Sequence, residues 1–196
     1  MPEITLYQGD CLKVMKELPA KSVDLILCDL PYGCMSLTDS ACDWDIKINL
    51  EEFWKEVKRI RKNEHTPCIH FCTTKFGYDL IQSNPNEFRY DLVWDKHHGV
   101  SYLHANRMPM RSHEMIYVFS KAGAFYHRID EDAPGKKKRT VDVKKPRKEK
   151  FYNSNAPKLT LSAGADDGKA CVLSVINMKK VGTFKQGHPT EKPNDL

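Results

Sequence analysis

The chain has 196 residues, enough for one domain with a buried core, and carries 31 Lys or Arg against 26 Asp or Glu, a formal charge of +5. No apolar run approaches the roughly 18 to 20 residues needed to span a bilayer, and the opening MPEITLYQGD lacks the basic-then-apolar order of a secretory signal. These features exclude a helical membrane protein and lead to the expectation of a soluble, cytoplasmic one.

In chain order, ITLYQ reads as a strand, CLKVMKEL as a short amphipathic helix and SVDLILC as a strand, with Gly9 and Asp10 at the first junction. VDLILC is a continuous apolar run of the kind that fills the middle of a parallel sheet. LEEFWKEVKRIRK places Leu50, Phe53, Trp54, Val57 and Ile60 on one helical stripe, with charges opposite. PCIHFCT reads as a strand, FGYDLIQSN as a helix closing on Asn84 and Pro85, and FRYDLVWDK and HEMIYVFSK as two more strands. This alternation favours helices packed on both faces of a largely parallel sheet. From about residue 122 to 168 the pattern dissolves into a long loop, which at that length is either functional or disordered. ACVLSVINM then reads as a single strand, and the chain closes on GHPTEKPNDL.

The charge is local. Residues 136–150, KKKRTVDVKKPRKEK, hold nine Lys or Arg against two acids, a net of +7, so the remainder of the chain is slightly acidic. Such a segment is either a phosphate-binding surface or a solvated loop. The seven cysteines (Cys11, Cys28, Cys34, Cys42, Cys68, Cys72 and Cys171) are odd in number, contain no CxxC pair and lie mostly in apolar contexts, which points to reduced thiols. Cys68, His70 and Cys72 share one face of a strand, but a structural zinc site takes four ligands from turn-forming spacings, so core packing is the better reading and no metal is expected.

The most informative stretch is CDLPYG, residues 28–33, where an apolar strand ends on a carboxylate. Ligands of open α/β sheets bind at the carboxyl ends of the strands, so Asp29 is a candidate functional group. Asp29, the Leu30 carbonyl, the stiff Pro31 and the ring of Tyr32 together suit a planar heteroaromatic group bearing an NH2: two acceptors for its hydrogens and a face to stack on. A base in duplex DNA would reach them only when flipped out, at a cost of a few kcal/mol. The alternative for an isolated DLPY is a turn in which Asp29 caps the next helix and Tyr32 packs.

DLPYG resembles the DPPY motif of amino-methylating DNA methyltransferases, and QGDCLKVMKELPAKSVDLILCDLPYG resembles the opening of the β-class adenine-specific enzymes. FRYDLVWDK, NRMPMRSHEMIYVFSK and HPTEKP follow in that family's order, so the resemblance covers nearly the whole chain. It implies a Rossmann-like α/β methyltransferase sheet with helices on both faces, one methyltransferase domain over 1–196 and a basic inserted loop or target-recognition region over 122–168. It also implies S-adenosylmethionine as cofactor, DNA as partner and the exocyclic amine of a flipped adenine as methyl acceptor, in a restriction-modification setting. By the same resemblance, Asp29, Leu30, Pro31 and Tyr32 form the catalytic motif, and Asp10, Cys11, Asp29, His188, Thr190, Lys192 and Pro193 bind the cofactor. Lys136, Lys137, Lys138, Arg139, Lys144, Lys145, Arg147 and Lys148, flanked by Phe151 and Tyr152, would contact DNA phosphates. Apart from the resemblance, His97, His98, Asn106, Arg107 and Arg111 read as a second polar loop that either faces DNA or is simply a solvated surface.

Two departures qualify this expectation. Leu30 replaces the commoner proline, although it keeps the carbonyl and Pro31 biases it toward extended backbone. The initial Asp favours adenine, with cytosine as the alternative target. No two of the ten glycines are separated by a single residue, so there is no GxG, and the sequence ends three residues after Pro193, where the family continues into a glycine-rich cofactor turn. A fold incomplete at its C-terminus is therefore expected. The chain would be a shortened methyltransferase, inactive alone for want of that turn; one piece of a split enzyme completed by a second polypeptide or homodimer; or a non-catalytic DNA-binding remnant.

Overall fold

The computed structural model describes residues 3–33, 45–100, 102–127, 130–132 and 169–178. These fall in two compact units, one comprising the residues up to Tyr126 with those from Ser174 onward, the other spanning His127–Leu173.

In the first unit, helix α1 (Cys11–Glu17) starts where Asp10 accepts the backbone N–H of Leu12 at 2.9 Å. Its last carbonyls, Met15 and Leu18, accept the guanidinium of Arg59 at 2.6 and 2.8 Å, so a side chain of the next helix completes its C-terminus. That helix, α2 (Leu50–Ile60), is capped by Asn49, whose side chain accepts from Glu51 and Glu52 N–H, and it carries acids in its first turn and Lys58 and Arg59 in its last. It buries Phe53, Trp54, Val57 and Ile60 of the stripe expected from spacing, with Leu50 half-buried, while Glu56, expected among the outward charges, is also buried and pairs with Arg59. Helix α3 (Thr74–Ser83) follows a Thr73 cap and meets α2 where the Trp54 indole N–H donates to Ser83 Oγ at 2.7 Å.

The strands are β1 (Ile26–Cys28), β2 (Cys68–Cys72), β3 (Phe88–Val100), β4 (Arg111–Phe119) and β7 (Val175–Asn177), in the sheet order β1-β2-β4-β3-β7. The second unit contributes β5 (Asp130–Asp132) and β6 (Lys169–Cys171), an antiparallel pair. In the five-stranded sheet β1 runs parallel to β2 and β7 parallel to β3, but β4 is antiparallel to both neighbours. The sheet is therefore mixed rather than largely parallel. The cause is the short connection after Val100, whose described residues 102–110 hold a 3-10 turn, Tyr102–His104, and no crossover helix, so β4 returns beside β3 as a hairpin.

One sheet face carries Ile26, Cys28, Cys68, Cys72, Tyr117 and Phe119, against which Phe53, Trp54, Phe76 and Leu80 pack. The three described helices all join this cluster. Helix α3 approaches β4 so closely that a Cβ on Gly77 would lie 2.5 Å from the Tyr117 ring. The opposite face centres on Phe71, Trp94 and Ile116, with Ile69, Leu92, Ile176 and Met178 around them. There the Trp94 indole N–H donates to the Met178 carbonyl at 2.8 Å, pinning the end of β7 to β3.

Three local expectations are corrected. Residues 4–8 form no strand: Ile4 and Leu6 are exposed, and no neighbouring strand pairs with them among the described residues. The apolar run 23–28 does not lie in the middle of the described sheet. Its strand β1 is the edge, and Leu25 and Leu27 are 53% and 60% exposed. The single strand expected over 170–178 is two short strands in different sheets, because Val172 to Ser174 leave the ladder between β6 and β7.

Candidate functional site

β1 and β2 are parallel, so their carboxyl ends open on the same rim. Asp29 stands there, immediately past Cys28. It caps no described helix: α2 is capped by Asn49 and α3 by Thr73. Instead its Oδ1 accepts the Tyr32 hydroxyl at 2.8 Å. The Tyr32 ring is half-buried and stacks on Phe76 of α3, with centroids 5.3 Å apart and planes 29° apart. Burial first, then the neighbouring Asp29, pushes the Tyr32 phenol well above its ordinary value, so the hydroxyl remains a donor at neutral pH. Leu30 packs against the helical-face cluster, which anchors the turn while its backbone passes the rim.

The turn ends on Gly33 in a left-handed conformation, φ +66°, with its N–H donating to Asp45 Oδ1 at 2.9 Å. Asp45 is only 2% exposed. Sequence reasoning missed it, since nothing in the spacing links residues 33 and 45. Further along, Lys47 pairs with Asp79 of α3 at 2.6 Å. The β3 and β4 side of the sheet adds another pair that patterning missed: Lys96 Nζ lies 2.8 Å from Glu114 Oε1, with Lys96 5% exposed and 5.7 Å from the Trp94 ring centroid. Glu114 and Tyr32 influence each other electrostatically, which places that pair near the Asp29 rim.

Asp10 and Cys11 are exposed at the start of α1. The Cys11 thiol is pushed upward, first by burial of its sulfur, then by Asp10 and by Cys28, so α1 begins near the end of β1. Asp10 and Cys11 therefore approach the strand that carries Asp29. Arg111 begins β4 and donates to Thr74 Oγ1 at 3.3 Å and to the His113 carbonyl at 3.1 Å. His97, His98, Asn106 and Arg107 are exposed at the β3–β4 hairpin, where His97 has φ +59° and its N–H meets Asp95 Oδ1 at 2.9 Å. Tyr102, Leu103, Met108 and Met110 are exposed on the same hairpin. His188, Thr190, Lys192 and Pro193, and the basic residues Lys136, Lys137, Lys138, Arg139, Lys144, Lys145, Arg147 and Lys148, lie outside the described residues, as do Phe151 and Tyr152.

A DNA methylase family model matches residues 23–196, and the chain belongs to that family, which comprises the N6-adenine and N4-cytosine type. The structure of the PvuII cytosine-N4-specific DNA methyltransferase shares 12% identity with the chain and covers 95% of it and 65% of that enzyme, with a TM-score of 0.53. The fold is thus the Rossmann-like one of S-adenosylmethionine-dependent DNA methyltransferases, built on a mixed sheet. An M1.HpyAVI–SAM complex is also similar, at 17% identity, 69% of this chain, 61% of that one and TM-score 0.46. A putative DNA modification methylase of Thermus thermophilus, complexed with S-adenosyl-L-methionine, gives 17%, 61%, 56% and 0.41. The chain spans about three fifths of the length of the M1.HpyAVI relative. A comparison with curated proteins gives no match. Among the described residues no helix is long and apolar enough to cross a membrane.

Proposed function

We propose that the chain carries the target-amine side of a DNA methyltransferase, which moves a methyl group from S-adenosylmethionine to the exocyclic amine of a flipped adenine. The observation that carries this reading is the placement of Asp29 at the carboxyl end of β1, oriented by the Tyr32 hydroxyl, in a chain of the DNA methylase family. A carboxylate beside an aromatic ring also suits a sulfonium cation, so the residues present fit the cofactor. Asp10 would meet its adenosine end, and His188, Thr190, Lys192 and Pro193 would complete its site. When bound, that cofactor supplies a methyl group on a positively charged sulfur.

The chain's own groups prepare the acceptor. An amine conjugated into a base is a poor nucleophile because its lone pair is delocalised. Acceptance of its two hydrogens by Asp29 and the Leu30 carbonyl favours a tetrahedral nitrogen and returns density to it. Tyr32 offers a ring for the base to stack on, and Pro31 stiffens the turn. After transfer the amine sheds one proton, and Asp29 is placed to pass it to solvent. The Asp of DLPY favours adenine; the cytosine amine is the competing acceptor.

DNA would be held by phosphate contacts from residues 136–148, while the exposed hairpin with His97, His98, Asn106, Arg107 and Arg111 faces the duplex. Among the described residues the edge of β1 is open, with Leu25 and Leu27 exposed, which would give a second polypeptide or a second copy a strand to extend. A second reading, DNA binding without transfer, follows from the same open edge beside Asp29. The deciding experiment measures transfer of labelled methyl from S-adenosylmethionine to DNA, with calorimetry for cofactor binding. Transfer that is abolished by Asp29→Ala supports the enzyme; salt-sensitive DNA binding with no cofactor heat and no transfer supports the binding remnant.

A further inference from the structure

Cys28 of β1 and Cys68 and His70 of β2 form a cluster that no step of methyl transfer uses. The parallel register sets Cys28 opposite His70 and Ile26 opposite Cys68, so all three side chains leave the same face of two adjacent strands. Their donor atoms lie within 4.8 Å of one another. Cys68 Sγ is 3.2 Å from His70 Nε2, and the Cys28 and Cys68 thiols are hydrogen-bonded. Cys72, the third residue of the CIHFC face, is elsewhere, its thiol directed to the Met115 carbonyl at 3.7 Å. The set that converges is therefore one that spacing within a single strand does not reveal.

We propose that Cys28, Cys68 and His70 bind a thiophilic divalent cation, zinc(II), through two sulfurs and Nε2. Two observations support it. His70 is fully buried, its ring edge-on to Phe53, Trp54 and Phe119 at 5.3 to 5.7 Å, a setting that a plain hydrophobe would fill without cost. Its Nδ1 has no hydrogen-bond partner among the described residues, so the fold bears the cost of a buried polar nitrogen while turning Nε2 toward two sulfurs.

Charge agrees with this. Two thiolates and one divalent cation sum to zero, the value an apolar pocket tolerates best. On binding, two S–H bonds give way to two zinc–sulfur bonds and two protons leave to solvent. Cys28 is half-buried, which provides entry and leaves the fourth position of a tetrahedral ion to water. Because Asp29 follows Cys28 directly, the ion would clamp β1 to β2 where the DLPYG turn departs, as a structural tie independent of which base is methylated.

The test is titration of the reduced chain with Co2+ and Zn2+, the latter against a chromophoric chelator. One equivalent of Co2+ should give thiolate-to-metal charge-transfer absorption and the visible bands of a tetrahedral site. Cys28→Ser, a half-buried position whose folding is checked by circular dichroism, should weaken binding by about 100-fold and lose that absorption. Differential alkylation of the unaltered protein provides a readout that does not depend on a variant folding: Zn2+ should protect Cys28 and Cys68 but leave Cys72 unchanged. Equal alkylation of Cys28 with and without Zn2+, or unchanged affinity in Cys28→Ser, overturns the site and leaves a hydrogen-bonded thiol cluster.

Discussion

Asp29 is held by a residue three positions later in its own turn, and that turn is held by a residue twelve positions further on. The hydroxyl of Tyr32 fixes one carboxylate oxygen, Phe76 supports the Tyr32 ring, and the Asp45 carboxylate secures Gly33. The proposed roles of ring and hydroxyl separate cleanly. Tyr32→Phe keeps the stacking surface and loses only the hydroxyl, so methyl transfer should fall a few-fold; Tyr32→Ala should cost about 100-fold or more, comparable to loss of one preorganised group. Equal losses in the two variants would mean that the hydroxyl, not the ring, matters. Asp45→Ala removes the partner of a part-buried N–H and should lower unfolding free energy by about 1 to 3 kcal/mol in a denaturant titration. Of this site the motif DLPYG was legible from sequence, because an acid terminating an apolar run is locally anomalous. Asp45 and the Lys96–Glu114 pair were not, since their partners are distant along the chain and nothing in their own neighbourhood marks them.

At the scale of elements, α2 and α3 form where spacing and caps agree: Asn49 and Thr73 satisfy first-turn N–H groups, and the apolar stripes face the sheet. Their packing is tight enough that glycine itself is a structural requirement at one position. Gly77→Ala would bring a methyl within 2.5 Å of the Tyr117 ring and should destabilise by about 1 to 3 kcal/mol, with the loss reversed in part by Tyr117→Leu. Additive losses in the double variant would place the strain elsewhere. The failures at this scale share one cause. Residues 4–8 and 23–28 have strand composition, but composition does not supply a partner, and a strand's burial is decided by what lies beside it. The direction of β4 was likewise invisible in its own residues; the helix-free connection before it determined that it would pair antiparallel.

For the whole first unit, an interior ion pair joins the end of α2 to the turn before β3. Arg61 contacts both oxygens of Glu87 at 2.9 and 3.2 Å, and Asn84 donates to Glu87 Oε2 at 3.2 Å. Burial pushes the Glu87 carboxyl upward, but Arg61 and Asn84 outweigh it, and the net direction is below the ordinary 4.5. A carboxylate lowered by folding stabilises above its unfolded value and loses that contribution as pH falls through its folded one. Stability should therefore drop on acidification below about pH 4.5, and Glu87→Gln should flatten that part of the profile measured by thermal unfolding. An unchanged slope would rule out Glu87 as the titrating group. For the intact chain on DNA, replacing Lys136, Lys137, Lys138 and Arg139 with Gln should weaken binding and reduce the salt slope by about 0.9 for each phosphate no longer neutralised. If the slope stayed the same, the phosphates would be held by other residues, the β3–β4 hairpin first.

The amino-acid sequence by itself determined the helices with their caps and stripes, the position of the acid at the end of β1 and the concentration of positive charge over 136–150, because each rests on neighbours within a few residues. Tertiary structure alone decided which strands are edges, which run antiparallel, and which side chains meet. Strand pairing brings together residues tens of positions apart, and the register that sets Cys28 beside Cys68 and His70 has no local signature.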